Sequence, residues 1–385
     1  MIDQPTFQPK QAVVFSTSMF GQVHNGPALY ANYLWDRLRD DPEIGFHLVT
    51  PQSDITHPRI HLSGTALSSR KLYRQLQLKT INVAQSLNTK NVIIHSNNAH
   101  CMSLLKPRHG HLIGQFNDYD AAKVFLEPLN ILKRHGLRRF ASLAVRHVNE
   151  SSALKKLDLA ICNSNFLRAE LIKRYKNANN SKLAVIYKSI DWNEFSQDTE
   201  TQASDRSKKN LLFVGSNWNG KGLDIALKAL AQLPPEFNSL KLTVAGDGRK
   251  AAKPIRQLIS QLNINSRVEF LGNVPRKKMP RLMANSSVLL FPSHNEALGV
   301  TAIEAVASML PVVASNVGGI PEVLAETTSS HLISNDPSTF SYYIQNVLKS
   351  YPKTTNLQND SDAVKNKFNC EQMIDSVKQM YSSFR

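Results

Sequence analysis

Short apolar runs rich in Val, Ile, Leu and Phe alternate along the chain with longer stretches whose apolar residues recur at helical spacing. In the first half the runs are AVVFST (12–17), FHLVT (46–50), NVIIHS (91–96), HLIGQF (111–116), LDLAICNS (157–164) and LAVIYKS (183–189). In the second half they are NLLFVGS (210–216), LKLTVAG (240–246), RVEFLG (267–272), SVLLFPS (287–293), PVVASN (311–316) and HLIS (331–334). Strands that are apolar throughout suit a parallel sheet buried on both faces, and the intervening helices supply the cover. The pattern predicts an α/β protein of two tandem Rossmann-like domains, 1–195 and 196–366, facing a cleft that would take the ligand. Between them SQDTETQASDRSKK (196–209) is polar and aperiodic and reads as a linker. Residues 367–385 close the chain with an amphipathic helical pattern.

Composition agrees with two full cores: 385 residues, 42% of them hydrophobic. Cys101, Cys162 and Cys370 stand far apart, without metal or redox spacing, and fit a reducing cytoplasm. The first residues show no apolar core after a basic start, and no run of about 18 apolar residues follows, so neither a signal peptide nor a span is expected. Charge changes the picture more. Residues 1–195 hold 25 Lys+Arg against 14 Asp+Glu, +11, whereas the remainder holds 21 against 16, +5. The basic first half points to an anionic partner: a membrane surface, a phosphorylated glycan or nucleic acid. Lys133, Arg134, Arg138, Arg139 and Arg146 interleave with Leu137, Phe140 and Leu143 in 131–148, and SRKLYRQLQLK (69–79) is similar. Such faces suit anionic lipid, although an inward-packed apolar stripe would read the same.

The densest chemistry lies in FPSHNEALGVTAIEAVASMLPVVASNVGGIPEV (291–323). Glu296 follows an apolar strand and a polar loop. Glu304 falls within a helical pattern that includes Ala302, Ile303, Ala305 and Val306. The spacing predicts Glu296 at a helix entrance and Glu304 about two turns in, roughly 10–12 Å along the axis. A helix start favours a phosphate, and flanking carboxylates accept hydroxyls, as a sugar nucleotide would need. Alone, the pair justifies only a helix-entrance charge and one surface Glu.

Position and context go further. The segment resembles the E-x7-E signature of glycosyltransferase family 4, retaining enzymes of the GT-B fold. Ala297 and Leu298 replace its Gly-Phe and Met309 a Gly, while Pro311 to Ala314, Gly318, Gly319, Pro321 and Glu322 match. The resemblance implies that Glu296 holds the donor sugar and Glu304 the ribose. Lys221, in VGSNWNGKG, and the N–H groups of Leu298, Gly299 and Val300 would face the pyrophosphate. Ser216 stands where the family has Arg. Gly246 and Val274, in AGDG and FLGNVP, match loops that hold the base. Gly26, beside His24 and Asn25, matches half of the Gly-Gly loop that touches the donor phosphates. After the fourth strand the family reads His-Asp; here Asn117 and Asp118 stand in GQFNDYD, and Asn cannot shuttle a proton. Asp118, and second to it Asp120, would orient the acceptor. The resemblance also places the last helix, 367–385, back on the N-terminal domain.

The resulting expectation is a metal-independent hexosyltransferase without a cofactor. Its donor would be a UDP- or GDP-sugar and its acceptor a cell-surface glycan or lipid-linked precursor. It would lie in the cytoplasm or peripherally on the inner face of the plasma membrane. The alternatives are a sugar-nucleotide 2-epimerase on the same fold and a non-enzymatic anion- or nucleic-acid-binding protein. The latter finds no recognisable nucleic-acid motif or aromatic platform in the chain.

Overall fold

Each of the twelve apolar runs contains a strand. The computed structural model describes residues 9–21, 26–66, 68–87, 89, 91–102, 104–125, 127–196, 210–248 and 251–385; His24, Asn25 and most of the expected linker lie outside them. Strands β1 (Gln11–Ser16), β2 (Ile44–Thr50), β3 (Ile60–Leu62), β4 (Val92–Ser96), β5 (His111–Phe116), β6 (Leu159–Cys162) and β7 (Leu183–Val185) form one sheet in the order β3-β2-β1-β4-β5-β6-β7. A second sheet takes β8 (Asn210–Val214), β9 (Leu242–Ala245), β10 (Val268–Gly272), β11 (Ser286–Phe291), β12 (Val312–Ser315) and β13 (His331–Ile333) in the order β10-β9-β8-β11-β12-β13. All pairings are parallel. The strand order reverses at β1/β4 in the first sheet and β8/β11 in the second. At such a reversal the loops leave in opposite directions and open a crevice at the carboxyl ends of the strands.

The strand missing from the sequence reading is β3. It is a three-residue edge strand, half-buried to exposed, so it carries no apolar run. The LAVIYKS run is sheet only to Val185; residues 186–189 leave the sheet.

Contacts divide the chain into an N-terminal unit, 1–188 with 371–385, and a C-terminal unit, 189–370. The break precedes the expected 195/196 because the helix Trp192–Ser196 is tied to the C-terminal unit by its aromatics. Trp192 Nε1 donates to the Phe368 carbonyl at 2.7 Å, and Phe195, fully buried, lies beneath the Arg276 guanidinium. The core of this unit packs Phe213, Val244, Val288 and Leu290 of the sheet with Leu227 of the helix Leu223–Ala231 and Phe340 and Ile344 of the helix Pro337–Lys349. Fully burying each such side chain contributes about 1.5–3 kcal/mol before entropy is counted.

The last helix, Cys370–Ser382, completes the N-terminal unit. Lys378 pairs with Asp41 at 2.7 Å and Glu371 with Arg37 at 2.7 Å. Beneath them Tyr381, fully buried, bonds through its hydroxyl to His95 Nδ1 at 2.7 Å. Burial depresses the His95 pKa to about 3, so the ring is neutral and one Tyr–His bond is a large share of its polar satisfaction. Among the described residues no helix is long and apolar enough to cross a membrane. Tyr381→Phe should therefore lower unfolding stability by about 1–3 kcal/mol, the range for a buried group left without its partner. Chemical denaturation measures this, and an unchanged midpoint would show that the bond carries nothing.

Candidate functional site

At the reversal point of the second sheet two loops are locked together through glycines. β8 runs through Gly215 and Ser216 into the short helix Trp218–Lys221, capped by Asn217, whose side-chain oxygen accepts from Gly220 N at 3.2 Å. Gly222 ends that helix at φ +72°, and a Cβ there would run into the Pro292 carbonyl. His294 N donates to the Gly220 carbonyl at 3.0 Å. The loop after β11 thus lies directly on the loop after β8. Lys221 Nζ forms an ion pair with Glu296 and stands 5.4 Å above the Phe291 ring. Glu296, picked from sequence spacing, and the lysine 75 positions away are thus joined directly.

Gly318 and Gly319 hold the other side of the Glu296 loop. Gly318 sits at φ +64° with no room for a Cβ against the Glu296 backbone, and Gly319 has none against the Ala297 carbonyl. Gly319 N donates to the Glu296 carbonyl at 3.0 Å. Gly299, at φ +105°, then opens the helix Val300–Ala307. The helix therefore starts at Val300, and Glu304 lies one turn in rather than about two, because 296–299 remain loop around a left-handed glycine. Leu298 is buried, which anchors the approach to the helix, and Glu304 is 7% exposed.

Glu304 is held by a residue that the sequence reading passed over. Arg276 Nη1 bonds to the Glu304 carboxylate, its Nε reaches Glu194 Oε2 at 3.1 Å, and its guanidinium stacks 4.9 Å over the Phe195 ring. A signal was present: Arg276 heads the basic triplet Arg276-Lys277-Lys278 directly after the FLGNVP loop. Both acidic members of the E-x7-E pair are thus matched with a cation within the C-terminal unit. The expected base-holding loops flank this region. Gly246, at φ +124°, packs without space for a Cβ on the Gly215 carbonyl, and its N–H donates to the Gly272 carbonyl at 2.7 Å. Val274 is half-buried two residues before Arg276.

The N-terminal unit holds the remaining predicted residues. Gly26 begins the helix Gly26–Leu38 that follows β1. Asn117, at the end of β5, donates through Nδ2 to the Asn97 carbonyl at 2.6 Å. Asp118 and Asp120 form an Asp-x-Asp pair, and each meets an arginine: Arg146 at 3.0 Å and Arg139 at 3.4 Å. Burial pushes the Asp118 carboxyl up, but the Arg146 charge and hydrogen bonds outweigh it and hold the group below its ordinary value. Asp120 is pushed the other way, by burial and by the charge of Asp118. Arg146, read from sequence as part of a basic surface, turns inward. It bridges Asp118 to buried Glu150 at 2.6 Å, and Tyr175 donates to the same carboxylate at 2.5 Å. Burial raises Glu150 to about 6 despite the arginine.

Residues 195–363 match the family model of glycosyl transferases group 1. The D-inositol 3-phosphate glycosyltransferase of Mycobacterium sp. (strain JLS) is 29% identical over 216 residues, 54% of this chain and 49% of the relative. The chain thus spans about half the length of the curated relatives it matches. A crystal structure of Anabaena Alr3699/HepE in complex with UDP-glucose superposes with a TM-score of 0.74 at 20% identity, covering 97% of this chain and 99% of the other. WaaG, a glycosyltransferase involved in lipopolysaccharide biosynthesis, superposes at 0.75 with 16% identity, over 96% and 99%. These likenesses give the fold, GT-B.

The glycine lock makes a quantitative expectation. Gly272 and Gly318 share a left-handed φ in one unit, but nothing lies within 4 Å of a Cβ at Gly272. Gly272→Ala should lose only the left-handed penalty, about 1–2 kcal/mol. Gly318→Ala should lose a further ~1–3 kcal/mol from overpacking against the Glu296 backbone. Equal losses in denaturant titrations of the two variants would mean that the loop contact is dispensable.

Proposed function

We propose that this chain, whose residues 195–363 match the family model of glycosyl transferases group 1, is a retaining glycosyltransferase. It moves a hexose from a nucleotide diphosphate sugar, UDP- or GDP-linked, to a hydroxyl of a cell-surface glycan or its lipid-linked precursor. One observation carries the reading: Glu296 and Glu304 stand at the entrance and first turn of one helix, each opposed by a cation, Lys221 and Arg276. A ligand with two hydroxyl-rich sugars joined by a diphosphate matches that spacing of acceptors, cations and helix start. UDP-glucose in the Alr3699/HepE complex and the lipopolysaccharide role of WaaG support the donor and acceptor classes.

In this mechanism Glu296 accepts hydroxyls of the donor sugar and Glu304 those of the ribose. Lys221 and the N–H groups of Leu298, Gly299 and Val300 stabilise the charge that grows on the leaving diphosphate. The bond from the anomeric carbon to the phosphate oxygen breaks while the acceptor oxygen bonds to the same face. The acceptor proton passes to the departing phosphate oxygen, so Asn117 need not act as a base. Asp118, kept ionised by Arg146, orients the acceptor. Gly246 and Val274 flank the base.

The acceptor would be reached at a membrane. On the helical stretch Pro128–Lys156, interrupted at Gly136, Leu129, Leu137, Val145 and Val148 are each at least 60% exposed, and Arg138 and Arg139 lie on the exposed surface beside Leu137. Exposed apolar residues beside arginines on a half of the chain with a surplus of positive charge suit anionic lipid, about 1 kcal/mol per basic residue near the surface. These features support a peripheral position on the inner face of the plasma membrane.

Glu304→Gln keeps the shape of the side chain but loses a charge-assisted bond worth roughly 1.5–3 kcal/mol. Nucleotide affinity measured by calorimetry should fall at least several-fold; unchanged affinity in a folded variant sinks the ribose assignment. Turnover should persist in excess chelator, because Lys221 and a helix start already face the diphosphate. A complete loss restored by divalent ions would show the phosphate site to be misread. In vesicle flotation, binding should need acidic lipid, weaken with salt and fall in the double variant Leu137→Gln, Arg138→Gln. Equal binding to neutral and acidic vesicles would leave a soluble acceptor as the better reading.

A further inference from the structure

Beyond β7 the chain carries Lys188, 4% exposed. Burying an ammonium is costly unless it is paired. Yet among the described residues no hydrogen bond or ion pair engages its Nζ. The nearest strong field is that of Asp118, whose oxygens are already taken by Arg146 and the Asp120 N–H. Nζ lies 3.7 Å from where a Cβ would stand on Gly26, the first residue of the 13-residue helix Gly26–Leu38, and the first turn of that helix holds no acidic residue. A buried cation therefore lies at the positive end of a helix dipole, with no ion pair to it among the described residues. Burial holds the amine near 7 instead of 10.5, partly opposed by Asp118, as expected of a charge awaiting a counter-ion.

The surroundings are equally unfinished. Asn97, Asn117 and Asn163 each directly follow a strand, β4, β5 and β6, at the carboxyl edge of the first sheet. The three are linked: Asn117 donates to the Asn97 carbonyl, and Asn163 donates to the Asn117 carbonyl at 3.3 Å. Each keeps a buried side-chain oxygen without a partner among the described residues. Buried amide oxygens normally find a donor, and hydroxyl groups would supply three.

We infer that Lys188 and the start of the helix Gly26–Leu38 hold a phosphate monoester carried by the acceptor, whose hydroxyls bond to Asn97, Asn117 and Asn163. That the ligand is an acceptor rests on the glycosyl-transfer reading; the oxyanion site itself does not. Lys188 plays no part in the donor cluster of the C-terminal unit, and a phosphate here selects acceptors by charge before any sugar is transferred.

The test uses the full chain and inorganic phosphate as the probe. Phosphate is titrated with UDP already saturating, so that the donor site is filled, and the melting temperature is followed for the wild type and for Lys188→Met. The wild type should gain several degrees and the variant none. Without phosphate or UDP, Lys188→Met should melt at or above the wild type, because a buried unpaired charge has been replaced by an apolar chain of similar length. UDP affinity should agree within twofold between the two proteins. Three results would overturn the proposal. They are a phosphate shift that is absent from the wild type or persists in the variant, a variant that melts well below the wild type on its own, and a tenfold loss of UDP affinity in the variant. The last would give the oxyanion to the donor diphosphate. Wild type that fails to bind UDP at all would count against glycosyl transfer instead, and phosphate titrated alone would still decide the site.

Discussion

Backbone lying against backbone is the constraint on which the C-terminal unit depends. Gly222 meets the Pro292 carbonyl, Gly246 the Gly215 carbonyl, Gly318 the Glu296 backbone and Gly319 the Ala297 carbonyl, each at a separation that leaves no room for a side chain. Four loops leaving β8, β9, β11 and β12 are thereby drawn into a single layer at the carboxyl edge of the sheet. The layer brings Lys221 against Glu296 and fixes where Glu296 stands, in the loop that leads to the helix Val300–Ala307. Side-chain chemistry follows from that geometry. The ion pair between Lys221 and Glu296 forms because the backbone beneath both residues has nowhere else to go.

The two units use one sheet plan to different ends. In the C-terminal unit the crevice at the strand-order reversal is lined by carboxylates that already hold cations. In the N-terminal unit the corresponding edge presents amides and a buried amine, with one carboxylate, Asp118, held ionised by a buried arginine. The first arrangement has its charges in balance before any ligand arrives. A ligand there must exchange one partner for another, so selectivity comes from matching the shape of existing bonds. The second leaves donors and acceptors unmatched.

Much of this was legible in the chain. Each apolar run contains a strand, because a strand buried on both faces must be apolar at every position, and such runs stand out in any order. β3 escaped because an exposed three-residue edge strand has no such requirement. The E-x7-E spacing pointed to Glu296 and Glu304, and the glycines around Lys221 pointed to that lysine. The start of the helix at Val300 was misplaced by a turn because Gly299 reads as an ordinary helix-entrance glycine until its left-handed φ is seen. The carboxylate partners of Arg276 and Arg146 could not be read from sequence. Each finds its carboxylate partly or wholly across tens of residues, and a basic residue beside apolar ones looks the same whether it faces water or a buried Glu. Lys188 was hidden for a similar reason: a strand-like run gives no sign that its last residues leave the sheet.

The return of the helix Cys370–Ser382 to the N-terminal unit has a consequence for biosynthesis. That unit is assembled from two stretches of chain separated by the whole of the other. A domain synthesised first ordinarily folds first. Here the partner of His95 emerges from the ribosome only after every strand of the C-terminal unit, so the second unit is complete while the first still lacks a wall of its core. Until Tyr381 arrives, the surface around His95, Arg37 and Asp41 stays open, and the nascent chain must be kept from closing it with the wrong segment.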